Sequence, residues 1–150
     1  MIPLKDDNPT SSRPIITYCI ICICIFVFIL ELSSPGYKTG TLFYSYGVIP
    51  AVLTGKVLLP QEAYAVPASF TLITSMFMHG GFMHLIGNML YMWIFADNIE
   101  DELGPTKFLI FYILSGIAAA LTQVYMNTDS FIPMVGASGA IAGVLGAYLM

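Results

Sequence analysis

Ser138 lies among small residues at the start of an apolar stretch, where a hydroxyl group is unusual. The run 135–140 reads V-G-A-S-G-A, and no charged residue follows it up to Met150. An unpaired polar group in hydrocarbon is costly, so a hydroxyl there indicates either close packing or chemistry. Glycines permit both, because they let the chain bend and let another helix come close. The run therefore predicts either a serine nucleophile or a small residue at a helix–helix contact.

His84 and Asn88 form a second polar pair, four residues apart on a predicted helix. This spacing places both side chains on one face, and each can donate a hydrogen bond. Two donors that converge beside a serine stabilise the negative oxygen of a tetrahedral intermediate. The alternative is a structural pair bonded to each other or to a neighbouring helix, and the spacing alone leaves both readings open.

The other polar residues indicate structural roles. His79 is five residues from His84, a spacing that divides the two rings across a helix, and no ligand motif such as H-E-x-x-H is present. We therefore predict no metal site, and interpret His79 as a structural histidine in a bent loop. The acidic cluster 97–102 is expected to be a solvated helix end, with Glu100 pinning the turn that follows.

Composition indicates an integral membrane protein. Hydrophobic residues make up 57% of the chain and charged residues 9%, with a mean hydropathy of +0.82, whereas soluble domains carry about 25% charged residues. The net charge is −4 and the basic residues are few and scattered, so nucleic-acid binding is not expected. The three cysteines at 19, 22 and 24 lie in an apolar run with no activating group, and are interpreted as lipid-facing or packing residues.

The chain divides into four parts, and the predicted fold class is an all-α polytopic membrane protein. They are a polar tail (1–13), a first transmembrane span (14–32), an interfacial loop with short helices or turns (33–68) and a membrane core (69–150). Within the core we predict a helix over 82–96, a span over 106–126 and a fourth apolar segment to Met150. Residues 135–150 rise only ~24 Å as a helix, less than the ~30 Å hydrocarbon core. We therefore expect the chain to stop inside its fourth span.

Orientation follows from the few basic residues. With a cytoplasmic N-terminus, three of the five, Lys5, Arg13 and Lys107, lie inside, and Lys38 and Lys56 lie outside. The positive-inside rule therefore favours a cytoplasmic N-terminus. We expect the membrane to be the plasma (inner) membrane. The loop before Ser138 then faces the outer side.

Three motifs resemble those of rhomboid intramembrane serine proteases. The run 78–90, M-H-G-G-F-M-H-L-I-G-N-M-L, resembles the family's second-span signature, and 100–104, E-D-E-L-G, resembles the turn after it. The run 136–139, G-A-S-G, resembles the nucleophile motif. Their order and spacing agree with the family across 69–150. The resemblance implies a rhomboid-like bundle of six spans, about four of them in this chain.

The resemblance also implies roles by position. Ser138 would be the nucleophile of a peptidase that needs no cofactor and cleaves in or near transmembrane segments. His84, Asn88 and backbone N–H groups at Ser138 and Ala137 would form the oxyanion hole. Structural positions near the site would be His79, which braces the loop, Gly136 and Gly139. The implied partners are the lipid bilayer and transmembrane protein substrates.

The family uses a serine–histidine dyad whose base lies on a sixth span. His79 and His84 match other positions, so the base is expected beyond residue 150. The alternative function is a catalytically inactive rhomboid-like protein that binds transmembrane clients. A small transporter or channel subunit is disfavoured, because its spans would carry more polar pathway residues.

Overall fold

The regular structure of the described residues is helical throughout. The computed structural model describes residues 10–150, apart from the side chains at positions 37 and 39, so most of the predicted tail 1–13 lies outside the described residues. One isolated antiparallel bridge joins Val48 and Met134. The α-helices are α1 (Ile15–Ser33), α2 (Pro35–Thr39), α3 (Thr41–Tyr46), α4 (Pro50–Leu53), α5 (Thr71–Thr74), α6 (Phe82–Tyr91), α7 (Asp97–Leu103), α8 (Pro105–Met126) and α9 (Ser138–Tyr148).

Two of these helices, α1 and α8, are long and apolar enough to cross a membrane. They have 19 and 22 residues and mean hydropathies of 2.8 and 1.8, and they lie where the first and third spans are predicted. Pro14 precedes α1 and Pro105 opens α8. Proline is tolerated there because the first N–H groups of a helix have no intrahelical partner. The shorter apolar helix α9 begins at Ser138.

The helix predicted over 82–96 extends further than expected. A π-helical segment, Met92–Ala96, joins α6 directly to α7, so the helical path continues to Leu103. Its 22 residues span about 33 Å at 1.5 Å per residue, enough to cross the hydrocarbon core. The interpretation of the acidic cluster as a solvated helix end is wrong for Glu100, which is 1% exposed.

Glu100 is buried because it caps the start of α1. Its Oε1 accepts the N–H of Ile16 at 2.8 Å, and its Oε2 accepts both the N–H and the hydroxyl of Thr17 at 2.8 Å. Donors in the first turn of a helix lack intrahelical acceptors, and the positive end of the helix dipole favours a carboxylate. Glu100 thereby ties the first span to α7, 83 residues further along the chain.

We expect Glu100→Ala to lower the free energy of unfolding by about 3 kcal/mol, because it leaves three donors without an acceptor. Denaturation of the purified chain in mixed micelles measures this. Glu102→Ala is the matched control, since Glu102 is exposed in the same helix, and it should change stability by less than about 0.5 kcal/mol. Equal effects of the two substitutions would contradict the capping role.

Asp101 holds the chain just before α1. Its carboxylate accepts the N–H groups of Ser11 and Ser12, both at 2.8 Å, and the Ser11 hydroxyl at 3.0 Å. The donors of Ser11 and Ser12 thereby satisfy the Asp101 carboxylate. The two neighbouring carboxylates of α7 therefore fix both the approach to the first span and its first turn.

The segment 33–68 carries short helices, as predicted. It is joined by backbone hydrogen bonds and an ion pair to the segment that precedes α9. The bridge between Val48 and Met134 uses two backbone hydrogen bonds of 2.8 and 3.0 Å. Lys56 forms an ion pair with Asp129 at 2.6 Å. These contacts hold the loop against the segment that leads into α9.

Helices α8 and α9 approach closely because small residues face each other. A methyl group added at Gly139 would stand 2.7 Å from the Ala119 Cβ, and one added at Gly143 would stand 2.5 Å from the Ser115 Oγ. Such distances leave no room for side chains, as in membrane helix pairs built on small residues. The N-terminus of α9 is thereby held against α8.

Candidate active site

The chain bends sharply just before Ser138, the first residue of α9. Gly136 has φ +124°, a conformation that side-chain-bearing residues rarely adopt. Its N–H donates to the carbonyl oxygen of Ser75 at 2.8 Å, which fixes the bend against the segment before α6. Ala137 follows as the fully buried N-cap. The bend thus places Ser138 at a helix N-terminus in a defined position.

His84 and Asn88 converge on this bend from α6. A methyl group at Gly136 would lie 2.7 Å from both Cε1 and Nε2 of His84 and 3.7 Å from Nδ2 of Asn88. The two side chains share one face of α6, as their spacing predicts. The structure therefore brings together His84, Asn88 and the glycine two residues before Ser138.

The hydrogen bonding of His84 defines which ring nitrogen is a donor. The N–H of Gly80 points at Nδ1 of His84 at 3.4 Å, so Nδ1 is the acceptor. In the neutral ring the proton is then assigned to Nε2. Since Nε2 is one of the atoms closest to Gly136, His84 presents an N–H donor to the bend.

Asn88 offers a second donor that the described residues leave unused. The residue is 8% exposed, and its Nδ2 is buried with no hydrogen-bond partner among residues 10–150. A buried donor without an acceptor costs about 1–3 kcal/mol. Native structures rarely retain such groups without a reason, so this amide is available to an acceptor that enters the site.

A cavity of about 340 Å³ lies in front of Ser138, whose side chain is exposed. Backbone N–H groups in the first turn of α9 have no acceptor within the helix and, with the helix dipole, favour negative charge. Ser75 and Gln123 add polar side chains to the wall. The lining residues are Val48, Ser75, Met76, Gly116, Ala119, Ala120, Gln123, Met134, Val135, Gly136, Ser138, Gly139 and Ala140.

Neither histidine is placed to act as a base for Ser138. His84 directs an N–H toward the site, and His79 is fully buried with its ring edge-on to His84, at 5.2 Å between ring centroids. Within residues 10–150 the hydroxyl of Ser138 makes no hydrogen bond. A serine nucleophile needs a base within hydrogen-bond reach, and the described residues place no such base beside the Ser138 hydroxyl.

His79 contacts Glu31 through its backbone rather than its ring. Its N–H points at Oε2 of Glu31 at 3.4 Å, while neither ring nitrogen has a partner in the described part of the chain.

The sequence analysis did not identify Glu31, although an acidic residue inside the apolar run 14–32 was the signal available. It also missed Ser75, whose role as a backbone acceptor leaves no sequence signal.

Residues 67–150, which are 84 of the chain's 150, match the family model of the Rhomboid domain. This chain belongs to the rhomboid family. The three rhomboid motifs identified in the sequence lie within the matched region. The helical bundle is therefore rhomboid-like, and this rhomboid is an integral membrane protein.

Similar rhomboids differ in what their names say of activity. The chain is 30% identical to the rhomboid protease GluP of Bacillus subtilis over 140 residues, which cover 93% of this chain and 25% of GluP. It is 36% identical to the mitochondrial rhomboid protein 1 of Saccharomyces cerevisiae over 97 residues, 62% of this chain and 28% of that protein. It is 31% identical to inactive rhomboid protein 1 of Drosophila melanogaster over 80 residues, 53% of this chain and 6% of that protein. The chain thus spans between 6% and 28% of the length of these relatives.

Proposed function

We propose that this rhomboid acts as an intramembrane serine endopeptidase that cleaves peptide bonds in or near transmembrane segments of other membrane proteins. The observation that carries the proposal is the unpartnered Nδ2 of Asn88. It lies beside the His84 donor and the bend that leads into Ser138. A buried amide donor and an exposed ring donor beside a helix N-terminus suit an oxygen that becomes negative only during reaction.

In the proposed reaction the Ser138 hydroxyl oxygen attacks the carbonyl carbon of the scissile peptide bond. The carbonyl oxygen becomes an oxyanion and accepts hydrogen bonds from Asn88 Nδ2, His84 Nε2 and the backbone N–H groups of Ser138 and Ala137. Collapse of this intermediate expels the amine and leaves an acyl-serine, which water hydrolyses. Gly136 and Gly139 shape the site by allowing the bend and the close approach of α8.

The proton of Ser138 requires a general base, and we propose a histidine outside residues 1–150. Support comes from the placement of the two histidines in the chain, since His84 is a donor toward the site and His79 is buried behind it. The base would take the hydroxyl proton during attack and return it to the leaving amine.

The test uses the full-length protein in native membranes. The membranes are treated with a fluorophosphonate, which reacts covalently with a nucleophilic serine. Peptide mapping should find the label on Ser138 and not on Ser69, which is also exposed. A label elsewhere would contradict the proposal. Failure of the folded protein to be labelled, combined with retained binding of transmembrane segments, would favour the alternative of an inactive, client-binding rhomboid. The name of the Drosophila relative states inactivity for that protein.

We expect Asn88→Ala to reduce cleavage of a transmembrane substrate by about 10²–10³-fold, as for removal of one oxyanion donor. Stability should be unchanged or slightly higher, because the substitution removes a buried donor that has no partner. Rates and thermal unfolding are measured on the same preparation. Asn127→Ala is the control, since Asn127 is exposed in the loop after α8. A loss of activity that tracked a loss of stability would assign Asn88 a structural role.

We further propose that the N-terminus faces the cytoplasm and that the Ser138 site opens on the outer side of the plasma (inner) membrane. The distribution of the five basic residues supports this orientation. Reporter fusions before α1 and within the loop 54–60 should give opposite activities, cytoplasmic for the first and external for the second. The reverse pattern would overturn the orientation without affecting the proposed chemistry.

A further inference from the structure

A second cavity, of about 380 Å³, lies between α1 and α3 and shares no lining residue with the Ser138 cavity. It opens at the apolar surface of α1, where the side chains of Ile23 and Leu30 are about half exposed. Its walls are mainly apolar, formed by Ile23, Val27, Leu30, Leu42, Phe77 and Met78.

Glu31 is the acidic residue in the lining of this apolar cavity. The residue is 3% exposed, and its Oε2 receives the N–H of His79 at 3.4 Å. Its Oε1 is buried with no hydrogen-bond partner, and no basic side chain within residues 10–150 forms an ion pair with it. A buried carboxylate is costly unless it is paired and hydrogen-bonded, so Oε1 is an acceptor that lacks its donor.

We propose that this cavity binds a bilayer amphiphile that carries a primary ammonium head. The ammonium donates to Glu31 Oε1, and the apolar chain lies against the side chains of α1 and Leu42. A cationic donor forms a charge-assisted hydrogen bond with a carboxylate, about twice as strong as a neutral one. An alcohol offers only the neutral bond, and a fatty acid is repelled. The source is the bilayer, because the mouth lies on the lipid-exposed face of α1.

The experiment compares three probes with the same chain length, dodecylamine, dodecanol and dodecanoate. The protein is held in nanodiscs of phosphatidylcholine, whose head group has no N–H donor, and retained probe is counted by native mass spectrometry. The amine should bind about tenfold more tightly than the alcohol, and dodecanoate should not bind. Equal binding of the amine and the alcohol would overturn the proposal.

Glu31→Gln should lower the affinity for the amine about tenfold and leave that for the alcohol unchanged. Glu62→Gln is the matched control, because Glu62 is exposed and does not line the cavity. An unchanged affinity in Glu31→Gln would refute the role of the carboxylate.

Leu30→Trp provides an independent variant, since it narrows the mouth at an exposed position, and it should reduce binding of both amine and alcohol. Undiminished binding there would place the probes elsewhere. Fluorophosphonate labelling at Ser138 does not depend on this cavity, so either proposal can fail without the other.

Discussion

Ser138→Ala should abolish peptide-bond cleavage while leaving the stability of the bundle unchanged. Removal of a serine nucleophile lowers turnover by about 10⁶-fold when the oxyanion donors remain. Ser138 is exposed to its cavity, and its hydroxyl makes no hydrogen bond within residues 10–150. Alanine is also the best helix former at this first position of α9. The free energy of unfolding should therefore change by less than about 0.5 kcal/mol.

The separation of activity from stability is the decisive part of this result. Cleavage of a transmembrane substrate and unfolding are both measured on the same preparation in mixed micelles. Ser69→Ala serves as the control, because Ser69 is exposed but lies outside the Ser138 cavity. Cleavage that survived in Ser138→Ala would show that another group attacks the peptide bond. It would also remove the function proposed for the donors on α6.

The spans could be predicted from the sequence because hydrocarbon imposes a simple requirement. Uninterrupted apolar runs after Pro14 and Pro105 are long enough to cross the core, and α1 and α8 lie within one residue of the predicted limits. Proline marks both starts since it lacks the N–H that a first turn leaves unpaired. These features depend on neighbouring residues, so no knowledge of the tertiary fold was needed.

The continuation of the helix past Ala96 could not be predicted in the same way. Four acidic residues within six positions are typical of a solvated end. Glu100 is buried because Ile16 and Thr17, more than 80 residues away, supply three donors to it. Local sequence carries no information about that pairing. Glu31 differs, because its acidic side chain lies within an apolar span and its Oε2 receives the N–H of His79, 48 residues later.

The candidate site was only partly accessible to sequence reasoning. The four-residue spacing of His84 and Asn88 correctly predicts a shared helix face, but it does not say what that face meets. Their convergence on Gly136, about 50 residues later, depends on how α6 and the bend pack together. The rhomboid motifs pointed to these residues together, while the bond from Gly80 that orients His84 appears only in the structure.

Gly136→Ala should reduce cleavage by at least about 10²-fold and also destabilise the protein. At φ +124° a side chain costs about 1–3 kcal/mol, and the added methyl would lie 2.7 Å from two atoms of the His84 ring. The ring must move, which displaces the Nε2 donor from the position where the oxyanion forms. Loss of one aligned donor accounts for about 10²–10³-fold in rate. Substrate cleavage and unfolding of the same variant measure the two effects.

Gly146→Ala is the control that isolates the site from the general cost of replacing glycine. Gly146 lies in the same helix α9, with open space around the added methyl and no positive φ. It should retain full activity, and its free energy of unfolding should rise by up to about 1 kcal/mol, because alanine favours a helix.

A double variant, Gly136→Ala with His84→Gly, separates the steric clash from the loss of the His84 donor. Removal of the ring relieves the clash and should recover part of the lost stability, whereas cleavage should stay low because the donor is gone. Recovery of cleavage in that double variant would show that His84 contributes no hydrogen bond to the reaction.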